Sequence, residues 1–282
     1  MRIAFFSPRN FLDKVADGLG RLGHDVFINP KNSSGFDAVL LMSVTQMPQV
    51  FRMDTRNLFV YEWDIYDWAM KTPRKNEYDY RRFLQVCASA KEVWVPSVAE
   101  KVRYDKLRRQ DRPEGVVVKS TVPYWDLLDI APTDGGFVLD TLRETPDSHW
   151  GIGKGACESL NIPFVYSKHV ASWEEYCKLL ASCTFTVCTL REASTGGLGL
   201  VEAAWYGKPV LVPNNDENAA KEYWPGAFRF AAGDLNDLKE KIGDLWKNRW
   251  QDSIAKNREK IHDVFNPDRM AGAIDARLKA NL

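Results

Sequence analysis

Short apolar runs alternate with longer stretches whose apolar residues recur every three or four positions, along nearly the whole chain. The runs at residues 3–7, 24–29, 36–42, 58–63, 93–95 and 115–118 are rich in Val, Ile, Leu and Phe and largely unbroken. Unbroken short runs predict parallel strands buried on both faces, rather than half-exposed strands with alternating polarity. Helical spacing fills the intervals at 11–22, 80–90 and 98–109, the last opening just after the Pro96–Ser97 stop-and-cap pair. Strands alternating with helices predict βαβ units.

The pattern breaks over residues 123–136, where two prolines and the turn Thr133-Asp134-Gly135-Gly136 interrupt it, and this stretch is read as an interdomain linker. Alternation then restarts. Strands are predicted at 137–142, 163–166, 185–190, 209–212 and 228–231, and helices at 149–160, 172–182, 199–206, 217–223, 235–247, 251–264 and 267–280. The expected organisation is an N-terminal Rossmann-like domain over 1–125, a C-terminal one over 126–266, and a last helix over 267–282 reaching back to the first domain. In such a pair of parallel sheets, ligands collect at the carboxyl ends of the strands, here expected to face a central cleft.

Composition changes this picture little. With 282 residues, 45% hydrophobic and 27% charged, the chain can build two domains with cores of their own. It opens directly on a strand-like run without an apolar leader, and no run is long enough to span a bilayer, so a cytoplasmic protein is expected. Five cysteines, odd in number, without a C-x-x-C pair and set among apolar residues, are expected as buried thiols. Four scattered histidines lack ligand spacing, so no metal is expected.

Charge is uneven beneath a net of zero. Residues 1–125 carry 20 Lys and Arg against 15 Asp and Glu, and residues 126–282 carry 18 against 23. The excess concentrates between Lys71 and Lys119, where 13 basic and 7 acidic side chains are interleaved with Tyr78, Tyr80, Phe83, Trp94 and Tyr104. Such a region suits an anionic partner or, equally, a solvated face with ordinary ion pairs.

The chemistry concentrates in the segment Arg191-Glu192-Ala193-Ser194-Thr195-Gly196-Gly197-Leu198-Gly199, which follows an apolar run and opens a helix. Glycines there let a ligand approach bare backbone, and the unpaired N–H groups at a helix start favour an anion. Glu202 follows a little over one turn into the helix. This arrangement suits a diphosphate at the helix start and a sugar hydroxyl on the carboxylate. In the first half, Tyr61-Glu62-Trp63-Asp64-Ile65-Tyr66-Asp67-Trp68 places three carboxylates among four aromatics after a strand, which suits either a sugar-like acceptor or an aromatic core with capping acids.

The string Glu202-Ala203-Ala204-Trp205-Tyr206-Gly207-Lys208-Pro209-Val210 resembles the Glu-Ala-Met-Ala-x-Gly-x-Pro-Val signature of the retaining GT4 glycosyltransferases, a family of the GT-B fold. The resemblance runs through the second half, including Arg143 after a strand, Asn214-Asn215-Asp216-Glu217 and Glu222, and is weaker in the first half, at Val93-Trp94-Val95-Pro96-Ser97. It implies a GT-B fold and sugar transfer from a UDP- or GDP-sugar to an acceptor hydroxyl, with retention and without an essential metal or other cofactor. It implies Glu202 on the ribose hydroxyls, and Gly196, Gly197 and Leu198, with Thr195 and Gly199 beside them, on the diphosphate and donor sugar. Arg143 is implied on the leaving diphosphate, with His149 or Lys154 as a second cation. Ser194 stands where the family usually has a glutamate, with Glu192 nearby as a substitute. Glu62, Trp63 and Tyr66 are candidates for acceptor binding and Asp64 for an acceptor base, although the family's usual histidine is missing there. The acceptor classes are a glycan, lipid-linked or protein hydroxyl, or hydroxymethylated DNA bases held by the Lys71 to Lys119 region. A GT-B module that binds a nucleotide sugar without transferring it is the other reading.

Overall fold

A computed structural model describes residues 1–7, 12–42, 56–62, 77–107, 113–119, 127–141, 150–167, 170–188, 198–214, 228–248, 258–259, 261–263 and 265–282. These residues form two compact units, one of residues 1–125 and 265–282, the other of residues 126–264.

In the first unit, strands β1 (Arg2–Phe6), β2 (Asp25–Ile28), β3 (Ala38–Met42), β4 (Leu58–Tyr61), β5 (Glu92–Val95) and β6 (Gly115–Val117) pair in the order β2-β1-β3-β4-β5-β6. Every pairing is parallel. Side chains alternate across a strand, so each central strand feeds two cores. Ile3 and Phe5 of β1 join Leu40, Phe59 and Trp94 on one face, while Ala4 and Phe6 join Val39, Leu41, Val60 and Val95 on the other. This is why the runs read as unbroken: all five residues of β3 are buried. The run at 24–29 differs, because β2 is the edge strand, and Phe27 and Ile28 are each 43% exposed.

Helices α1 (Asp13–Arg21), α2 (Glu77–Ser89) and α3 (Val98–Leu107) lie between these strands in sequence, and α8 (Pro267–Asn281) closes the chain. Phe83, Val86 and Cys87 of α2 and Tyr104 of α3 cover one face of the sheet; Leu19 and Val15 of α1 cover the other together with Met270, Ala271, Ile274 and Leu278 of α8. Helix α8 begins cleanly, with Asn266 Oδ1 accepting from the Asp268 N–H at 2.9 Å and Pro267 in the first turn. His24, between α1 and β2, joins Asp275 of α8 at 2.8 Å, and Arg21 of α1 pairs with Asp268 of α8. Arg277 of α8 bonds the Glu92 carboxylate at the start of β5, which also accepts from Trp94 Nε1 at 2.8 Å and Asn281 Nδ2 at 3.1 Å.

In the second unit, β7 (Val138–Asp140), β8 (Phe164–Tyr166), β9 (Phe185–Val187), β10 (Val210–Asn214) and β11 (Phe228–Ala231) pair in the order β11-β10-β9-β7-β8, again all parallel. Helices α4 (Trp150–Ser159), α5 (Trp173–Ser182), α6 (Leu198–Trp205) and α7 (Leu235–Asn248) join it among the described residues. Ala156, Cys157, Leu238, Ile242 and Leu245 of α4 and α7 cover one face, and Cys177, Leu180, Ala181, Ala203 and Tyr206 the other. All eleven expected strands are present, whereas the helix expected at 217–223 and most of that at 251–264 lie outside the described residues.

From Leu127 onward, the stretch read as a linker is sewn to the second sheet. Leu127 and Ile130 pack on the α5–α6 core, Thr133 N–H bonds the Ala181 carbonyl at 2.9 Å, and Thr184 Oγ1 donates to Asp134 Oδ1 at 2.6 Å. The buried Lys208 ammonium bonds the Thr133 carbonyl, and Tyr206 Oη donates to that of Leu128 at 2.7 Å. All five cysteines are buried thiols, and burial pushes those of Cys157 and Cys183 up to about 12.

Candidate functional site

Both sheets place their third strand beside their first, on the side opposite the second, which is where the direction of chain winding reverses. The crevice beyond the carboxyl ends at such a reversal is the ligand position in open α/β sheets. In the second sheet the reversal lies between β7 and β9. Beyond β7 comes Thr141, and α6 starts close by at Leu198. Gly199 is what makes this approach possible: a Cβ there would overlap Thr141 Cβ and Oγ1 and stand 3.0 Å from Tyr176 Oη. The Thr141 hydroxyl oxygen is buried and has no hydrogen-bond partner among the described residues.

Helix α6 is apolar nearly all round, and Leu200, Val201, Ala203 and Ala204 are all buried. Such a helix belongs inside a protein. Glu202 is its one charged residue, and it is 3% exposed. Burial drives the Glu202 carboxyl up to about 7, opposed by a hydrogen bond from Tyr176 Oη to Oε2 at 2.6 Å. Helix α6 ends where Gly207, at φ 77°, turns the chain left-handed, with its N–H on the Ala204 carbonyl at 2.8 Å and that of Lys208 on Ala203 at 3.1 Å. The turn delivers the chain straight into β10. The Trp205 ring stacks on His262 at a centroid distance of 3.6 Å, and His262 Nε2 lies 3.2 Å from the Trp205 carbonyl.

Tyr176 comes from α5, whose first turn is firmly held. Ser172 Oγ accepts from Glu175 N–H at 3.1 Å, and Glu175 Oε2 accepts from Ala171 N–H at 2.9 Å. Neither Tyr176 nor Thr141 stands out in the sequence as a site residue. The usable signal for Tyr176 was chemical: a tyrosine on the core side of an amphipathic helix needs a partner for its hydroxyl.

Of the expected site residues, Gly199 and Glu202 are brought together with Tyr176 and Thr141 at the start of α6, and Leu198 opens that helix. Lys154 lies on α4, its side chain 51% exposed and 3.5 Å from Glu158. No described contact brings it to Glu202. Glu62 is fully buried just past β4, its N–H on the Trp94 carbonyl at 2.9 Å. Arg143, His149, Glu192, Ser194, Thr195, Gly196 and Gly197, together with Trp63, Asp64 and Tyr66, lie outside the described residues. In the basic region, Lys101 pairs with Asp105 and Arg103 with Glu100, so part of that charge is compensated locally. Among the described residues there is no helix long and apolar enough to cross a membrane, and no group of three His, Cys, Asp or Glu placed to hold a metal.

No protein-family model matches the sequence, and no curated protein matches it. Solved structures do. Sucrose-phosphate synthase from Thermosynechococcus elongatus superposes with a TM-score of 0.67 at 14% identity, covering 99% of both chains. HepE from Anabaena, solved in complex with UDP and glucose, gives a TM-score of 0.67 at 12% identity over 99% of this chain and 100% of its own. WaaG, a glycosyltransferase involved in lipopolysaccharide biosynthesis, gives 0.63 at 13% identity over 96% and 99%. The fold is therefore α/β with two parallel sheets, of the GT-B glycosyltransferase type.

Proposed function

We propose that the chain is a glycosyltransferase that moves a sugar from a nucleoside diphosphate sugar to an acceptor hydroxyl, retaining the configuration at the anomeric carbon. The observation that carries this reading is Glu202, one carboxylate in an otherwise apolar, buried helix that starts at the reversal point of the second sheet. A buried carboxylate in that place is suited to ribose hydroxyls, and the backbone at Gly199 to close approach by a diphosphate. The reading is also supported by the complexes of neighbours of the same fold: HepE was solved with UDP-glucose, and TarM with UDP and α-GlcNAc-glycerol.

In this reading the bond from the anomeric carbon to the diphosphate oxygen breaks and its electron pair leaves with the nucleoside diphosphate. The acceptor oxygen forms the new bond on the same face, and Asp64 is the candidate for taking its proton. Negative charge builds on the leaving group, so fixed cations and N–H donors are needed there. Arg143 is assigned to that task, with His149 or Lys154 as second cation, Gly196, Gly197, Leu198 and Gly199 along the diphosphate and sugar, and Glu192, Ser194 and Thr195 near the sugar. Glu62, Trp63 and Tyr66 are assigned to the acceptor. We place the protein in the GT4-like, metal-independent group on the motif of Glu202 to Val210, and in the cytoplasm on its five cysteines, all held as thiols.

The test is incubation with UDP- and GDP-sugars. Slow hydrolysis of one donor, abolished in Arg143→Ala, is the expected result. Tight UDP or GDP binding without turnover on any acceptor would instead make the chain a non-transferring module. No described feature favours a DNA acceptor.

A further inference from the structure

The only hydrogen bond to the Glu202 carboxylate among the described residues comes from another element of the same unit. Tyr176 Oη donates to Oε2 at 2.6 Å, from a ring that meets Trp173 at 5.4 Å and an interplanar angle of 41°. Its backbone is fixed by the Ser172 cap, and its own N–H bonds the Ser172 carbonyl at 3.1 Å. An ionised carboxylate offers about four acceptor positions over two oxygens. One bond to Oε2 therefore anchors that oxygen and leaves Oε1 for a ligand. The same tyrosine hydroxyl lies 3.0 Å from where a Gly199 side chain would begin, so it touches both the helix start and the carboxylate.

We propose that Tyr176 is a positioning residue: by holding Oε2 it orients Glu202 toward the ribose hydroxyls of the nucleotide, and so sets the preference of the site for ribo- over deoxyribonucleotides. This rests on the reading of Glu202 as the nucleotide-holding carboxylate. The other titratable group facing Glu202 is Tyr206, the residue after α6, which in turn faces Cys177 of α5 and Asp129, and whose hydroxyl burial keeps neutral. Donation by Tyr176 favours the ionised carboxylate, and burial opposes it.

The experiment is calorimetric titration of the full chain with UDP, GDP and their 2′,3′-dideoxy counterparts, from pH 5.5 to 8.5. Wild type, Tyr176→Phe and Glu202→Gln are compared, with melting curves run in parallel. Wild type should prefer the ribonucleotide by about tenfold or more, and Glu202→Gln should lose that preference. Tyr176→Phe should bind the ribonucleotide about tenfold more weakly and the dideoxy form as wild type does. The pH midpoint of its ribonucleotide binding should also rise, because the bond favouring the charged form is gone. A Tyr176→Phe protein that keeps the wild-type preference and midpoint, or weakens both nucleotides equally, would overturn the inference while leaving the role of Glu202 standing. Wild type binding neither nucleotide, or Glu202→Gln keeping the preference, would overturn the reading of Glu202 and this inference with it.

Discussion

Two buried glutamates, one in each unit, show opposite uses of the same side chain. Glu92, 7% exposed at the start of β5, is met by Arg277, Trp94 and Asn281. Burial alone would raise its carboxyl, but these partners more than reverse that and hold it below the usual range. Glu202, 3% exposed in α6, has one tyrosine hydroxyl, and burial carries it up to about 7. A charge surrounded by its own partners serves the fold. One left short of partners in a strand-end position has capacity for a ligand.

The comparison can be broken most strongly at Glu202. Its folded pKa lies above the 4.5 of the unfolded group, so its stabilising contribution is fully present below pH 4.5 and is lost as pH rises toward about 7. Wild type should lose about 3 kcal/mol across that window relative to Glu202→Gln, read from urea melts at stepped pH. The next effect is at Arg277. Arg277→Ala leaves Glu92 buried without its cation and should cost about 2 kcal/mol at neutral pH, reduced from a fully buried pair because the arginine side chain is 39% exposed. Glu92 has a depressed pKa, so this loss should fade as pH falls through its folded value, opposite in sign to Glu202. An Arg277→Ala penalty that persisted in strong acid would show that packing, not charge, holds the helix. The smallest effect tests how the unit supports Tyr176. Ser172→Ala removes the α5 cap and should cost about 1 kcal/mol of unfolding free energy, while Lys178→Ala, on the exposed face of the same helix, should leave it nearly unchanged.

The architecture was readable in the sequence because parallel strands buried on both faces leave an unmistakable mark. The run from Ala38 to Met42 has no polar position to confuse with a helix. The edge position of β2 was not readable, since strand order depends on pairings that hydrophobicity does not encode. The placement of Glu202 one turn into a buried helix followed from the glycines before it and the turn at Gly207. Its bond to Tyr176 did not, because the partners lie 26 residues apart and the tyrosine reads equally well as core. The Arg277–Glu92 pair, separated by 185 residues, was hidden for the same reason. In both cases the sequence shows a charge but not what answers it.

Helix α8 carries a consequence for synthesis. The core on one face of the first sheet contains Ile3, Phe5 and Val15 from the start of the chain together with Met270, Ile274 and Leu278 from its last stretch. The second unit is continuous from residue 126 to 264 and has all its parts once that stretch leaves the ribosome. A chain made from its N-terminus can thus complete the later unit first, while one face of the earlier sheet is covered by α1 alone. The most exposed moment of this molecule falls during its own translation, and chaperone dependence should concentrate on the half that is made first and finished last.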